Sequence, residues 1–374
     1  MNKKAIAILG AIFILIVGTL GFLIYSKYSG QPAETDLSLI TPTDNAPGSG
    51  QNPPNKLTDS GDSEPSLPLN ESNTAIVKLS DDQVVSPALY YNGQGLSYFD
   101  NQGNLFQANI ENSNGKLSLT QKKQLNIPIK PGVIKILWPS RGDDFIAQFT
   151  DNAGKTSWSY FSSANQTYSD LPAEVYSFDW MPNGNQIIYV WLENNRSTLN
   201  IGDPDTNNWQ FLGDMWENDD AVSVSPDGSQ ILYYETANGG ANNAINSVTS
   251  DGKIWKNLVK NGQNFGVLWS PDSQKFLFAK KDLNTQIHQL WIFNLTSGEV
   301  KNLGLFSTTE KAVWDKDSNI IYASVPVQGS AGDNNLTQDA FFRMDTTTLD
   351  KKQYNSDGSP IDGRNLFLNS SGDK

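Results

Sequence analysis

Short apolar runs separated by polar turns repeat along the second half of the chain. The runs FIAQF (145–149), IIYVW (187–191), ILYYE (231–235), FLFAK (276–280) and IIYAS (320–324) are rich in β-branched and aromatic residues. Each follows a turn of similar spelling: WPSRG (138–142), WMPNG (180–184), VSPDG (224–228), WSPDS (269–273) and WDKDS (314–318). These turns recur at intervals of 42, 44, 45 and 45 residues. A fixed period of about 40–45 residues holding several short strands predicts the blades of a β-propeller.

The turn chemistry explains the spelling. A strand ends on Trp or Val, Pro fixes φ, and Asp, Asn or Gly supplies the residue that tolerates positive φ. Pro226, Asp227 and Gly228 do this in one copy, Pro271 and Asp272 in the next. Trp138, Trp180, Trp269 and Trp314 share one repeat position, which predicts packing between neighbouring blades. Third strands are expected at 156–161, 197–202, 244–249, 289–295 and 340–345, and short fourth strands at 209–213, 254–259, 299–304 and 351–355. Four strands make one blade.

SPDG (225–228) and SPDS (270–273), each followed by an apolar strand and then by a segment such as LWIFNLTSGEVKNL, resemble the TolB-type propeller repeat. MPNG (181–184) and PSRG (139–142) are looser copies, and DKDS (315–318) lacks the Pro. The resemblance covers roughly residues 85–374. It implies the fold and, by the usage of such propellers, a place in envelope complexes. It implies no chemistry, because such repeats serve binding domains, scaffolds and enzyme accessory domains alike.

Residues 88–110 read as a first blade with its turn at 92–95, and 365–374 resemble the opening strand and turn of another copy. Six complete repeats favour an all-β propeller of six four-stranded blades, with seven as the alternative and a terminal segment contributing to closure. A strand should follow the turn that ends at Lys374, so a truncated chain is the expectation there.

The N-terminus carries the other strong pattern. Residues 5–25 hold no charge, and Lys3 and Lys4 precede them. Such a run spans roughly 30 Å as a helix, the thickness of a bilayer core. It exceeds the apolar core of a signal peptide and ends in bulky Phe22, Leu23, Ile24 and Tyr25, so it predicts an uncleaved single-pass membrane anchor. Residues 1–4 then stay cytoplasmic and the propeller, 74–374, is extracytoplasmic, at the cell surface or in the periplasm. Residues 26–73 are dense in Pro, Gly, Ser and Asn and bury too little to offset ordering, which predicts a disordered linker. As a flexible coil it holds the propeller on the order of 35–40 Å from the membrane.

The net charge of −13 argues against nucleic acid and against anionic lipid surfaces as partners. With no cysteine there are no disulfides, thiol nucleophiles or lipid-modified cysteine. The one histidine, His288, opens a third strand and is read as a strand-edge residue; no GxSxG motif accompanies it. No phosphate loop, dinucleotide fingerprint or sialidase-type Asp box occurs, so no catalytic residue, cofactor or metal is assigned. The alternating sets Asp203, Asp205, Asn207 and Asp315, Asp317, Asn319 are read as turns and not calcium loops.

The loops entering each first strand should ring one mouth of the central channel. They carry Glu174, Asp219, Asp220, Asn264, Glu310 and Arg364, with Trp216 just upstream of the aspartate pair. The set is mostly acidic and suits a polar or cationic ligand or a partner protein; a solvated rim is the plain alternative. Trp158, Trp209 and Trp255, outside the repeat position, are further contact candidates. The expectation is a membrane-anchored interaction or envelope scaffold binding another protein or envelope component. Alternatives are a carbohydrate-binding or glycan-cleaving propeller and a structural or sensory ectodomain.

Overall fold

The structure is a computed structural model, and it describes residues 79–90, 95–113, 116–194, 196–215, 221–236, 243–281, 287–327, 337–354 and 361–368. All belong to the unit spanning Glu71–Lys374. The expected anchor over 5–25 and linker over 26–73 lie outside these residues. Among the described residues no helix is long and apolar enough to cross a membrane.

The apolar runs form six four-stranded antiparallel sheets, so the molecule is a six-bladed β-propeller. The blades span 85–124, 133–170, 175–214, 221–262, 266–302 and 312–354, numbered 1 to 6 here. Each is a meander of four consecutive strands. In blade 3, for example, Ile187–Glu193 pairs with Val175–Trp180 on one side and Arg196–Gly202 on the other. The second strands are the buried centre of each blade: Ile187, Ile188, Ile231, Leu232, Phe276 and Leu277 are all fully buried. Such runs are apolar on both faces because both face another blade.

Closure differs from expectation. Among the described residues each blade takes its strands from one contiguous stretch, and none combines strands from the two chain ends. Residues 365–368 form no strand of a further blade, and 369–374 lie outside the described residues. Residues 361–365 instead run over blade 6: the Asp339 amide donates to the Ile361 carbonyl, and the Asn365 amide donates to that of Glu310, both at 2.9 Å.

The tryptophans act as foreseen and do more. Each donates its indole N–H backwards to a backbone carbonyl in the first strand of the preceding blade. Trp138 reaches Ser86 (2.9 Å), Trp180 reaches Leu137 (3.0 Å), Trp269 reaches Ser223 (3.3 Å) and Trp314 reaches Leu268 (3.2 Å). Blade 4 has Val224 at this position. There Asp179 of blade 3 supplies the tie, its carboxylate accepting the Val224 amide at 2.8 Å and the Trp180 amide at 2.8 Å. Burial pushes this carboxyl up to about 6, against those hydrogen bonds and the charge of Lys135.

Candidate functional site

In a meander of this kind the start of strand 1, the strand 2–3 connection and the end of strand 4 share one end of the blade. The opposite end carries the repeat turns, which are tied to one another. The Asp227 amide donates to Ser273 Oγ, and the Asp272 amide to Ser318 Oγ, both at 3.0 Å and both across a blade boundary. Ser273 (φ 59°) and Ser318 (φ 60°) stand in the left-handed region, where the other copies have Gly184 and Gly228 at φ 74°. Asp227 and Asp272 are held in their own turns: each carboxylate accepts a hydrogen bond at 2.6 Å, from the hydroxyls of Ser225 and Ser270. Burial raises these carboxyls, but the hydrogen bonds outweigh it and hold both below the usual range.

The first-strand end holds the rim residues. Glu174, Asn264 and Glu310 each lie shortly before a first strand, and their side chains differ in setting. Glu310 is exposed, Glu174 and Asn264 are half-buried, and Asn264 has φ 50° in the turn before Gly266–Trp269. The backbone of Asn264 hydrogen-bonds His288, whose pKa burial and Lys281 lower despite that bond. Arg364 is exposed and pairs with Asp362 at 2.8 Å, so it joins the rim through the segment over blade 6. Trp216, Asp219 and Asp220 lie outside the described residues.

Beside Glu310 sits a buried polar cluster that the sequence does not announce. The Lys311 ammonium is held between Asp339 and Asp362 and also reaches Thr337 Oγ1 at 3.0 Å. Side chains of Lys311, Asp339 and Asp362 are at most 8% exposed. Burial pushes the Asp362 carboxyl up, and hydrogen bonds from Lys311, Arg364 and Thr337 bring it below its usual value. Lys311 is the buried cation between the two buried carboxylates, and the exposed Arg364 supplies the second positive charge to Asp362.

Two further side chains at this end went unread. Ile134 is 46% exposed and Tyr176 is 54% exposed. Each is the second residue of a first strand, in Val133–Leu137 and Val175–Trp180. The signal was available as an apolar residue off the buried alternation of VIKIL and VYSFDW.

Two of the contact tryptophans are corrected. Trp158 packs edge-on against Phe178 of blade 3, centroids 4.7 Å apart. Trp255 packs on Tyr233 at 5.4 Å and donates to the Gly252 carbonyl at 2.8 Å, over Gly213 of blade 3, where any Cβ would collide with its ring. Both fill blade boundaries, where a large aromatic gains most from burial. Trp209 is 61% exposed. Asp203, Asp205 and Asn207 close a turn, with the Asn207 amide donating to Asp205 Oδ1 at 3.0 Å. Among the described residues no three His, Cys, Asp or Glu side chains converge as a metal site.

No protein-family model matches the chain, and no curated protein matches it. Solved structures match by fold. An oligogalacturonate lyase from Vibrio parahaemolyticus is similar with a TM-score of 0.53 and 10% identity, over 78% of this chain and 86% of that one. An oligogalacturonate lyase in complex with manganese gives 0.50 and 9% identity, over 77% and 83%. TolB from Acinetobacter baumannii gives 0.42 and 16% identity, over 73% and 68%. TolB proteins thus stand among the structures this six-bladed propeller resembles. At these identities the likeness is one of fold.

Proposed function

We propose that the chain is a membrane-anchored, extracytoplasmic propeller that docks a protein or envelope component on the end of the ring where the first strands begin. The observation that carries the reading is a common register. Glu174, Asn264 and Glu310 each precede a first strand, and the exposed Tyr176 and Ile134 are the second residues of two such strands. An apolar contact ringed by polar side chains is the usual build of an interaction surface. At the opposite end the turns of blades 4, 5 and 6 are tied to one another by hydrogen bonds. The uncharged run at 5–25 behind two lysines supports the anchor and its orientation.

The test starts from partners crosslinked to the full chain in native membranes. Their affinity is then measured at two salt concentrations, with and without neutralisation of Asp219, Asp220 and Glu310, and with Tyr176→Ala. Weaker binding in both variants is expected, and for a basic partner a fall with salt, since exposed charges are screened over about 8 Å at physiological ionic strength. Equal affinity in every condition overturns the reading. Binding or cleavage on a glycan array, abolished by the same changes, would replace it with a carbohydrate function.

A further inference from the structure

Lys311 is an amine held out of water against two carboxyl groups. It closes the short turn Thr309–Lys311 that leads into the first strand of blade 6. Its ammonium lies 2.5 Å from Oδ2 of Asp339, the first residue of the third strand Asp339–Asp345, and it also donates to Asp362 Oδ1. The Asp339 side chain is fully buried, and those of Lys311 and Asp362 are each only 8% exposed. Thr337 Oγ1 fixes the same ammonium from a further side at 3.0 Å. A side chain that is normally free to sample many rotamers is thus confined to one place.

An amine and a carboxyl group so held can stay an ion pair or condense to an amide. In bulk water hydration keeps both ions charged and apart. Burial removes that advantage, because an enclosed ion pair bears a desolvation cost that a neutral amide does not. Fixed contact also replaces chance encounter, and well-oriented groups react as if at effective concentrations of about 10⁵–10⁸ M. The enclosure keeps out the water that would reverse the reaction.

The two carboxylates are not equivalent. Asp339 Oδ1 accepts from Thr337 Oγ1 at 2.6 Å and Oδ2 from the Gly363 amide at 2.9 Å, both neutral donors. Lys311 is its one cation, and a proton from Lys311 neutralises both groups at once. Asp362 pairs with Arg364 as well, at 2.8 Å, so a permanent cation keeps it ionised and able to act as a base.

We propose that Lys311 and Asp339 condense into an intramolecular isopeptide bond, with Asp362 carrying the proton. The ammonium passes one proton to Asp339 Oδ2, which leaves a neutral amine beside a carboxylic acid. Nζ attacks Asp339 Cγ, and the Thr337 hydroxyl donates to the charge that develops on Oδ1. Asp362 takes a proton from the nitrogen and returns it to the Oδ2 hydroxyl, which departs as water. An ammonium and a carboxylate thereby become an amide and one water, with no co-reactant. Asp362 is regenerated and stays paired with Arg364, so the remaining charges still balance. The bond ties the turn before the first strand of blade 6 to its third strand.

Mass spectrometry of the denatured full chain tests this. The chain should weigh one water less than its sequence. Trypsin should leave the peptide 302–316, uncut after Lys311, joined to the peptide 317–343. Lys311→Arg and Asp339→Ala should each restore the full mass. Asp362→Asn keeps both reacting groups and should leave most of the chain unjoined. Separate, unmodified peptides in the wild type overturn the proposal. A water lost within a single peptide overturns it too, because Asp362–Gly363 and the other Asp–Gly pairs lose water as cyclic imides. Complete joining in Asp362→Asn overturns the role given to Asp362. The wild-type peptides decide the bond itself even where a variant fails to fold.

Discussion

The backbone amide of Asp272 donates to the side chain of Ser318 across the boundary between blades 5 and 6, at 3.0 Å. Ser318 is fully buried and has φ 60°, a conformation that costs a non-glycine residue about 1–2 kcal/mol. The serine at this turn position thus works against local strain and for the contact with its neighbour.

Glycine and alanine separate the two effects at Ser318. Ser318→Gly removes the strain but leaves the Asp272 amide without its acceptor, a loss of about 1–3 kcal/mol. Ser318→Ala loses the acceptor and keeps the strain. Thermal denaturation should rank the wild type above glycine and glycine above alanine. A glycine variant more stable than the wild type would show that the inter-blade bond contributes little.

Truncating a blade-boundary tryptophan should be severe. Trp269→Ala and Trp180→Ala are each expected to lose roughly 3–5 kcal/mol, as for a large buried aromatic. Trp269→Phe keeps most of the packing and drops the bond to the Ser223 carbonyl, so about 1 kcal/mol is expected. Melting temperatures unchanged in both alanine variants would contradict their placement between blades.

Asp179 predicts a pH dependence. Its folded-state value, about 6, lies above the ordinary carboxyl value of 3.8. A raised acid favours the folded state while protonated. Its contribution is therefore complete below about pH 4 and is lost as pH climbs through about 6. Carboxyls held low, such as Asp227, Asp272 and Asp362, act in the opposite sense and at lower pH. The difference between wild type and Asp179→Asn isolates the effect: on the order of 2 kcal/mol should disappear between pH 4 and 6. A flat difference across that window would mean that Asp179 ionises normally.

The orientation drawn from residues 3–25 has a direct check. Protease added to spheroplasts should degrade the propeller without membrane rupture. Survival of the domain until the membrane is broken would reverse the assignment.

The repeat was readable because it is written locally. Turns such as WMPNG and WSPDS and their flanking apolar runs lie within about a dozen residues, and their period gives four strands per blade and favours six blades over seven. The buried polar cluster was not readable, because its partners have no period. Lys311, Asp339 and Asp362 are scattered polar residues that meet only once blade 6 and the segment after it have folded together. Ser273 and Ser318 stand where other copies have glycine, and nothing in the sequence marks them as acceptors for the preceding turn. Trp158 and Trp255 were misread for a related reason: outside the repeat position, nothing in the sequence distinguishes an aromatic under a neighbouring blade from one in solvent. At the rim, only the placement of Glu174, Asn264 and Glu310 before first strands was legible.

The indole bonds give the ring a direction. Trp138, Trp180, Trp269 and Trp314 each bring the donor, and the earlier blade supplies only a main-chain oxygen. Ser86, Leu137, Ser223 and Leu268 serve equally as acceptors, because every residue has a carbonyl. Blades 2, 3, 5 and 6 therefore carry their own means of attachment and demand no particular side chain in return, whereas blade 4 borrows the Asp179 carboxylate of blade 3. A copied blade arrives able to dock on whatever precedes it, so an array can lengthen by duplication and drift in spelling while its blades stay joined.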